Sequence, residues 1–121
     1  MNTYKDLIVW QKAFILVKEI YVLTEKFPKS EVYGLFSQMR RSVISLPSNI
    51  AEGYCRNSRK EFIQFLNIAF ASGAELGTQI LLAKSLDFIK DEEAKKSEML
   101  LEEVMKMLNV LMRNLKNKPI R

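Results

Sequence analysis

SRKEFIQFLNIAFASGAELGTQILLAKSL, residues 58–86, decides the fold. It opens with Ser58-Arg59-Lys60-Glu61, a capping-box pattern, in which the side chains of Ser58 and Glu61 are expected to accept from each other's backbone N–H. Phe62, Phe65, Leu66, Ala69, Leu76, Ile80 and Ala83 then recur at three- and four-residue steps, the spacing of one buried helical face. No proline interrupts the pattern. Ala69, Gly73 and Gly77 stand four residues apart, and each glycine costs about 1 kcal/mol relative to alanine inside a helix. A row of small residues lets another helix come close, and that packing offsets the cost.

Three further helical patterns flank this one. Upstream, residues 31–54 carry Leu35, Met39, Val43, Leu46 and Ile50 on one side, with Ser30 expected as the cap and Gly53 as the stop. Pro47 removes one backbone hydrogen bond inside that pattern. The apolar stripe continues to Ile50, so a kink is expected there and not a break. Residues 4–26 form the first helix, with Leu7, Trp10, Phe14, Val17 and Tyr21 as its expected buried face, and Phe27-Pro28 ends it. Downstream, Asp91, Glu92 and Glu93 open a helix over 91–116, where acidic side chains suit the N-terminal dipole. Its stripe is Leu101, Val104, Leu108, Leu111 and Leu115. Short breaks around Pro28, Asn57 and Lys90 favour antiparallel neighbours. The expected fold is all-α: one up-down-up-down four-helix bundle over residues 1–121, with helices at about 4–26, 31–54, 58–86 and 91–116.

Composition narrows the chemistry. The 121 residues contain no histidine and one cysteine, Cys55. A Ser-His-Asp triad, a Cys-His dyad, histidine-ligated metal and cysteine-cluster zinc are therefore excluded. No cofactor and no metal site are expected. The acidic cluster Asp91, Glu92, Glu93, Glu98, Glu102 and Glu103 is interspersed with lysines and reads as a solvated helix start. Cys55 has no acid–base partner in view and reads as a bystander thiol. The net charge is +5, and residues 1–60 hold all the excess, with ten Lys/Arg against five Asp/Glu. Neither a secretory signal nor an apolar run of membrane-spanning length is visible, so a cytoplasmic protein without a membrane partner is expected.

The segments DLIVWQKAFILVKEIY, FPKSEVYGLFSQMRRSVISLPSNIAEG and SRKEFIQFLNIAFASGAELGTQILLAKSL resemble, in order and spacing, the bacterial four-helix-bundle family of 23S rRNA intervening-sequence proteins. The Pro-Ser-Asn-Ile-Ala-Glu-Gly run at 47–53 and the stretch from Gln38 to Arg41 carry the resemblance most specifically. It extends to the accessory variability determinant of diversity-generating retroelements. The resemblance implies an antiparallel bundle assembled as a homopentamer. It also implies a basic surface that binds nucleic acid or a nucleic-acid-handling protein, and it brings no enzymatic activity.

Gln38, Arg41, Ser45, Ser48, Asn49, Glu52 and Arg56 share the side of the second helix away from its apolar stripe. Three readings of that side stand open. It is a solvated face with a Glu52–Arg56 ion pair; a polar network between helices or subunits, drawing on Arg41, Asn49, Glu52 and Glu75, with Gln79 near; or a phosphate-binding surface of Arg41, Arg56, Arg59 and Lys60. The tail residues Arg113, Lys116, Lys118 and Arg121 either complement the last helix's dipole or touch nucleic acid. The leading functional expectation is a non-enzymatic homo-oligomer that binds RNA or DNA through its backbone, since the chain has no base-reading module. The alternative is a protein-interaction scaffold with no nucleic-acid role.

Ile8, Ile15 and Val22 recur every seven residues outside the expected core stripe, and Val9, Leu16 and Leu23 form a row between the two. A small monomeric bundle needs one apolar stripe per helix and a polar back. The extra row predicts a second buried surface, made with another copy of the chain.

Overall fold

The computed structural model describes residues 3–118. Among them are four α-helices and no strand: α1 Ile8–Thr24, α2 Leu35–Tyr54, α3 Arg59–Ser85 and α4 Asp91–Lys116. Each helix packs on the next and α4 closes on α1, while the diagonal pairs do not meet. This is the four-helix bundle. Its core is a column of Leu16, Ile20, Met39, Leu46, Ile50, Leu66, Leu76, Ile80 and Leu108, all fully buried.

The first helix is shorter than expected and turned differently. Tyr4–Asp6 form a separate 3₁₀ turn capped by Thr3, and Leu7 is extended, so α1 begins at Ile8. The buried face is Val9, Ala13, Leu16, Ile20 and Leu23, not the stripe of Leu7, Trp10, Phe14, Val17 and Tyr21. α1 is apolar almost all round, so periodicity offers several faces. Ala13, fully buried, lies on the face that turns inward. Tyr4, Trp10 and Phe14 instead stack on one another, with centroids 5.3 and 5.2 Å apart, and Phe14 is exposed.

α2 also starts later than 31. Lys29–Glu31 are a 3₁₀ turn, and Ser30 lies inside it without capping the helix. Glu31 does that work: its Oε1 accepts from the Leu35 N–H at 3.1 Å. Gly53 is not the stop. It lies within the helix, buried, with an ordinary helical backbone. An added Cβ would stand 2.7 Å from Phe65 Cβ and 3.2 Å from the Phe62 carbonyl, so Gly53 is where α2 and α3 come closest. α2 runs through Pro47 without a break.

α3 ends in a Schellman turn with Asp87 in the left-handed region at φ 62°. Phe88 N–H reaches the Ala83 carbonyl and Asp87 N–H the Lys84 carbonyl. Phe88 then stacks on Phe27, 5.4 Å away, tying the two loops at that end together. Gly73 faces Met105 and Leu101 of α4, and a Cβ there would run into the Met105 sulfur, whereas Gly77 has room. Contrary to expectation, α3 does contain an 18-residue window apolar enough to cross a membrane, at mean hydropathy 1.2. In the bundle α2 and α4 pack along its flanks.

Candidate nucleic-acid interface

The bundle topology sorts charge by end. The start of α1, the α2–α3 loop and the end of α4 lie together, and bring Lys5, Arg56, Arg59, Lys60, Arg113, Lys116 and Lys118 to one end. Among the described residues, only Asp6, Glu52 and Glu61 oppose these seven cations there. The opposite end holds Lys26, Lys29, Arg40, Lys84 and Lys90 against Glu25, Glu31, Asp87, Asp91, Glu92 and Glu93. A chain with a modest net charge thus becomes a bundle with one strongly basic end and one slightly acidic end.

Within the basic end two of the arginines, Arg56 and Arg59, are held. Ser58 Oγ accepts from the Glu61 N–H at 3.1 Å and fixes the first turn of α3. Arg59, in that turn, donates from Nη1 to the Lys118 carbonyl at 2.9 Å. The loop's cations and the tail's cations are therefore neighbours. Arg56 pairs with Glu52 at 2.8 Å and lies 4.7 Å above the Phe65 ring. Its guanidinium is positioned by the ring and half-neutralised by the carboxylate. Lys60 is exposed and has no side-chain partner among the described residues. Arg121 lies outside the described residues. Arg41 does not join this group: it is fifteen residues before Arg56, about 20 Å along the helix axis.

The polar side of α2 divides differently from any single expectation. Asn49 donates from Nδ2 to the Ser45 carbonyl at 2.9 Å and to Ser45 Oγ at 2.8 Å. Ser45 Oγ shares a 2.8 Å hydrogen bond with Ser72 Oγ of α3. The network therefore runs Asn49–Ser45–Ser72. Glu52 belongs to the Arg56 pair, and Arg41 and Glu75 are exposed with no partner among the described residues. Gln79, 7% exposed, has its Oε1 buried without a donor.

The residue that sequence reasoning missed is Arg40. Its Nε donates to Thr24 Oγ1 at 2.9 Å, and Nη2 reaches the Tyr21 carbonyl at 3.1 Å and Glu25 Oε2 at 2.7 Å. The guanidinium is sandwiched between Tyr21 and Phe36, 4.0 and 3.9 Å from the ring centroids. Arg40 thus closes the C-terminus of α1 from a different helix. A cation at a helix C-terminus is a familiar signal when it lies on the same helix; here the partner is sixteen residues away, and no local pattern reveals it.

At the acidic end two groups titrate abnormally. Glu93 accepts from the Lys90 N–H at 2.8 Å, with Lys26 3.5 Å away, and both hold its carboxyl below the ordinary value of 4.5. The 2.8 Å hydrogen bond from Lys84 to Glu98 raises the Lys84 pKa above its ordinary 10.5, with Asp91 adding to it.

An all-α bundle with charge polarised along its axis is the class this fold and surface define. The sequence model of the family described as 23S rRNA-intervening sequence protein matches residues 5–110. The chain belongs to that family. No curated protein matches it. The matched region includes the Arg56–Lys60 loop and stops before the basic end of α4.

Proposed function

We propose that the protein works in the cytoplasm as a homo-oligomer that binds RNA or DNA through phosphate contacts at its basic end. The observation that carries this is the collection of seven cations at one end, joined by the Arg59–Lys118 hydrogen bond. Cations gathered from separate parts of the chain, two of them held in place (Arg56 and Arg59), fit a continuous phosphate backbone. Base specificity is not expected, because the sequence carries no base-reading motif such as a zinc finger or an RNP motif. Side-by-side copies would set several basic ends in one plane and multiply the field that draws in a polyanion.

Self-association is supported by Ile8, Ile15 and Val22, which are 58%, 47% and 63% exposed. Ile15 and Ile8 line two open grooves between α1 and α4, of about 810 and 440 Å³, with Met99 and Leu100 in the first and Met107 and Val110 in the second. Ordered apolar rows of this length mark an interaction surface. The number five is what the family resemblance implies.

A titration of labelled single- and double-stranded RNA and DNA at several salt concentrations tests the nucleic-acid reading. Affinity should vary little with sequence and fall steeply with salt. Protein that binds none of the four at low salt refutes it and leaves the interaction scaffold.

A further inference from the structure

We propose that the Glu52–Arg56 pair recognises the ribose of RNA, Glu52 accepting a hydrogen bond from a 2′-hydroxyl while Arg56 holds the adjoining phosphate. This rests on the nucleic-acid reading above and selects RNA over DNA within it.

The acids of the basic end differ in what occupies them. Asp6 serves the fold: its Oδ2 accepts from the Thr3 N–H at 3.2 Å, in the capping box of the 3₁₀ turn. Glu61 is exposed in the first turn of α3, where a carboxylate suits the helix dipole. Glu52 has neither use. It stands two residues before the end of α2, where the dipole disfavours a negative charge, and on a phosphate-binding surface it repels the ligand. Its partner is Arg56, with Oε2 2.8 Å from Nη2. An exposed pair four residues apart contributes little to a helix.

The pair is presented to solvent. Glu52 and Arg56 are 54% and 43% exposed in their side chains, and with Ser48, Ala51 and Cys55 they line an open groove of about 520 Å³. The Phe65 ring, its centroid 4.7 Å from the guanidinium, holds Arg56 in place from the other side. Arg56 gives Glu52 a donor from Nη2 alone, and Glu52 Oε1 takes no hydrogen bond among the described residues. A cation with spare donors thus stands beside a carboxylate with spare lone pairs.

The group that satisfies both carries an anion and a hydroxyl side by side. In RNA the 2′-hydroxyl and the 3′-phosphate sit on neighbouring carbons of one ribose, at every nucleotide and whatever the base. DNA brings the phosphate alone. Glu52 then faces it without a donor, and the like-charge contact lowers affinity. The 2′-hydroxyl is the group by which a protein separates the two nucleic acids at a given site.

Uridine oligomers of equal length that differ only at the 2′ position test this. Ribose, deoxyribose and 2′-O-methyl forms, each single-stranded and paired with an adenosine strand of the same sugar, are titrated by anisotropy at low salt. The wild type should bind RNA about tenfold more tightly than either other form, the size expected of one hydrogen bond to a charged group. The 2′-O-methyl form keeps the oxygen but has no proton to donate, so RNA-like affinity for it overturns the proposal. Glu52→Ala should bring the three to equal affinity. Glu61→Ala removes the same charge from the same end, and should tighten all three together with the preference intact. Equal binding of RNA and DNA by the wild type, or a preference that survives Glu52→Ala, overturns the proposal and leaves the phosphate reading standing. Wild-type protein that binds none of the oligomers refutes the nucleic-acid reading itself, a distinct result.

Discussion

Arg59 Nη1 and the Lys118 carbonyl are 2.9 Å apart across 59 residues of chain. The bond makes the start of α3 and the tail after α4 a single surface. It leaves the Arg59 guanidinium charged, with its remaining donors available to an anion. Arg59→Ala and Arg56→Ala should each weaken binding by similar factors for unrelated RNA and DNA sequences. Each should reduce the slope of log affinity against log salt by up to about one unit, as expected for one lost phosphate contact. Anisotropy titrations at three or more salt concentrations measure both quantities.

Arg40 is 18% exposed in its side chain and holds three oxygens of α1 and its end. Arg40→Ala should cost about 2–3 kcal/mol of stability, because hydrogen bonds to a charged, mostly buried group are lost together. Arg40→Lys should recover less than half: an ammonium does not fork between Thr24 and Glu25 while lying flat between Tyr21 and Phe36. Urea unfolding at fixed protein concentration checks both.

Two glycines should respond in opposite directions. Gly53→Ala sets a Cβ 2.7 Å from Phe65 Cβ, close to backbone that does not yield, and should destabilise by about 1–3 kcal/mol. Gly77→Ala meets only Leu101 Cδ2 at 3.6 Å and should stabilise by up to about 1 kcal/mol through helix propensity. Thermal melts of the two variants beside wild type decide it.

Stability should fall away at both extremes of pH through separate residues. The Glu93 pKa is depressed in the fold, so its contribution is present above 4.5 and lost as pH drops through the lower folded value. The Lys84 pKa is raised, so its contribution is present below 10.5 and lost as pH climbs through the higher folded value. Glu93→Gln should flatten only the acid limb of a stability–pH profile, and Lys84→Met only the alkaline one.

Pro47 deprives the Val43 carbonyl of its helical donor, and we expect α2 to bend there while remaining continuous. Pro47→Ala should straighten it. Crystal structures of the variant and the parent, compared by the angle between residues 35–45 and 48–54, measure the change.

The helical pattern of residues 58–86 and the short breaks on either side made the bundle legible from the chain alone, since burying one face of a helix imposes a local period. The Glu52–Arg56 pair was legible for the same reason: both partners lie on one helix turn. The starts of α1 and α2 and the rotation of α1 were not. Gly53 was read as a stop because glycine suits helix ends; the approach of Phe62 and Phe65 from another helix gives it a different use. On α1, nearly every face is apolar, and the packing against α2 and α4 selects the face of Val9, Ala13, Leu16, Ile20 and Leu23 as the one that turns inward. Arg40 closing α1, the Asn49–Ser45–Ser72 network and the joining of the Arg59 loop to the Lys118 tail are contacts between distant segments. Local sequence carries the energy of forming each helix, but which side chains meet across helices depends on their relative rotation and height. Those are set by packing, and only the tertiary structure contains them.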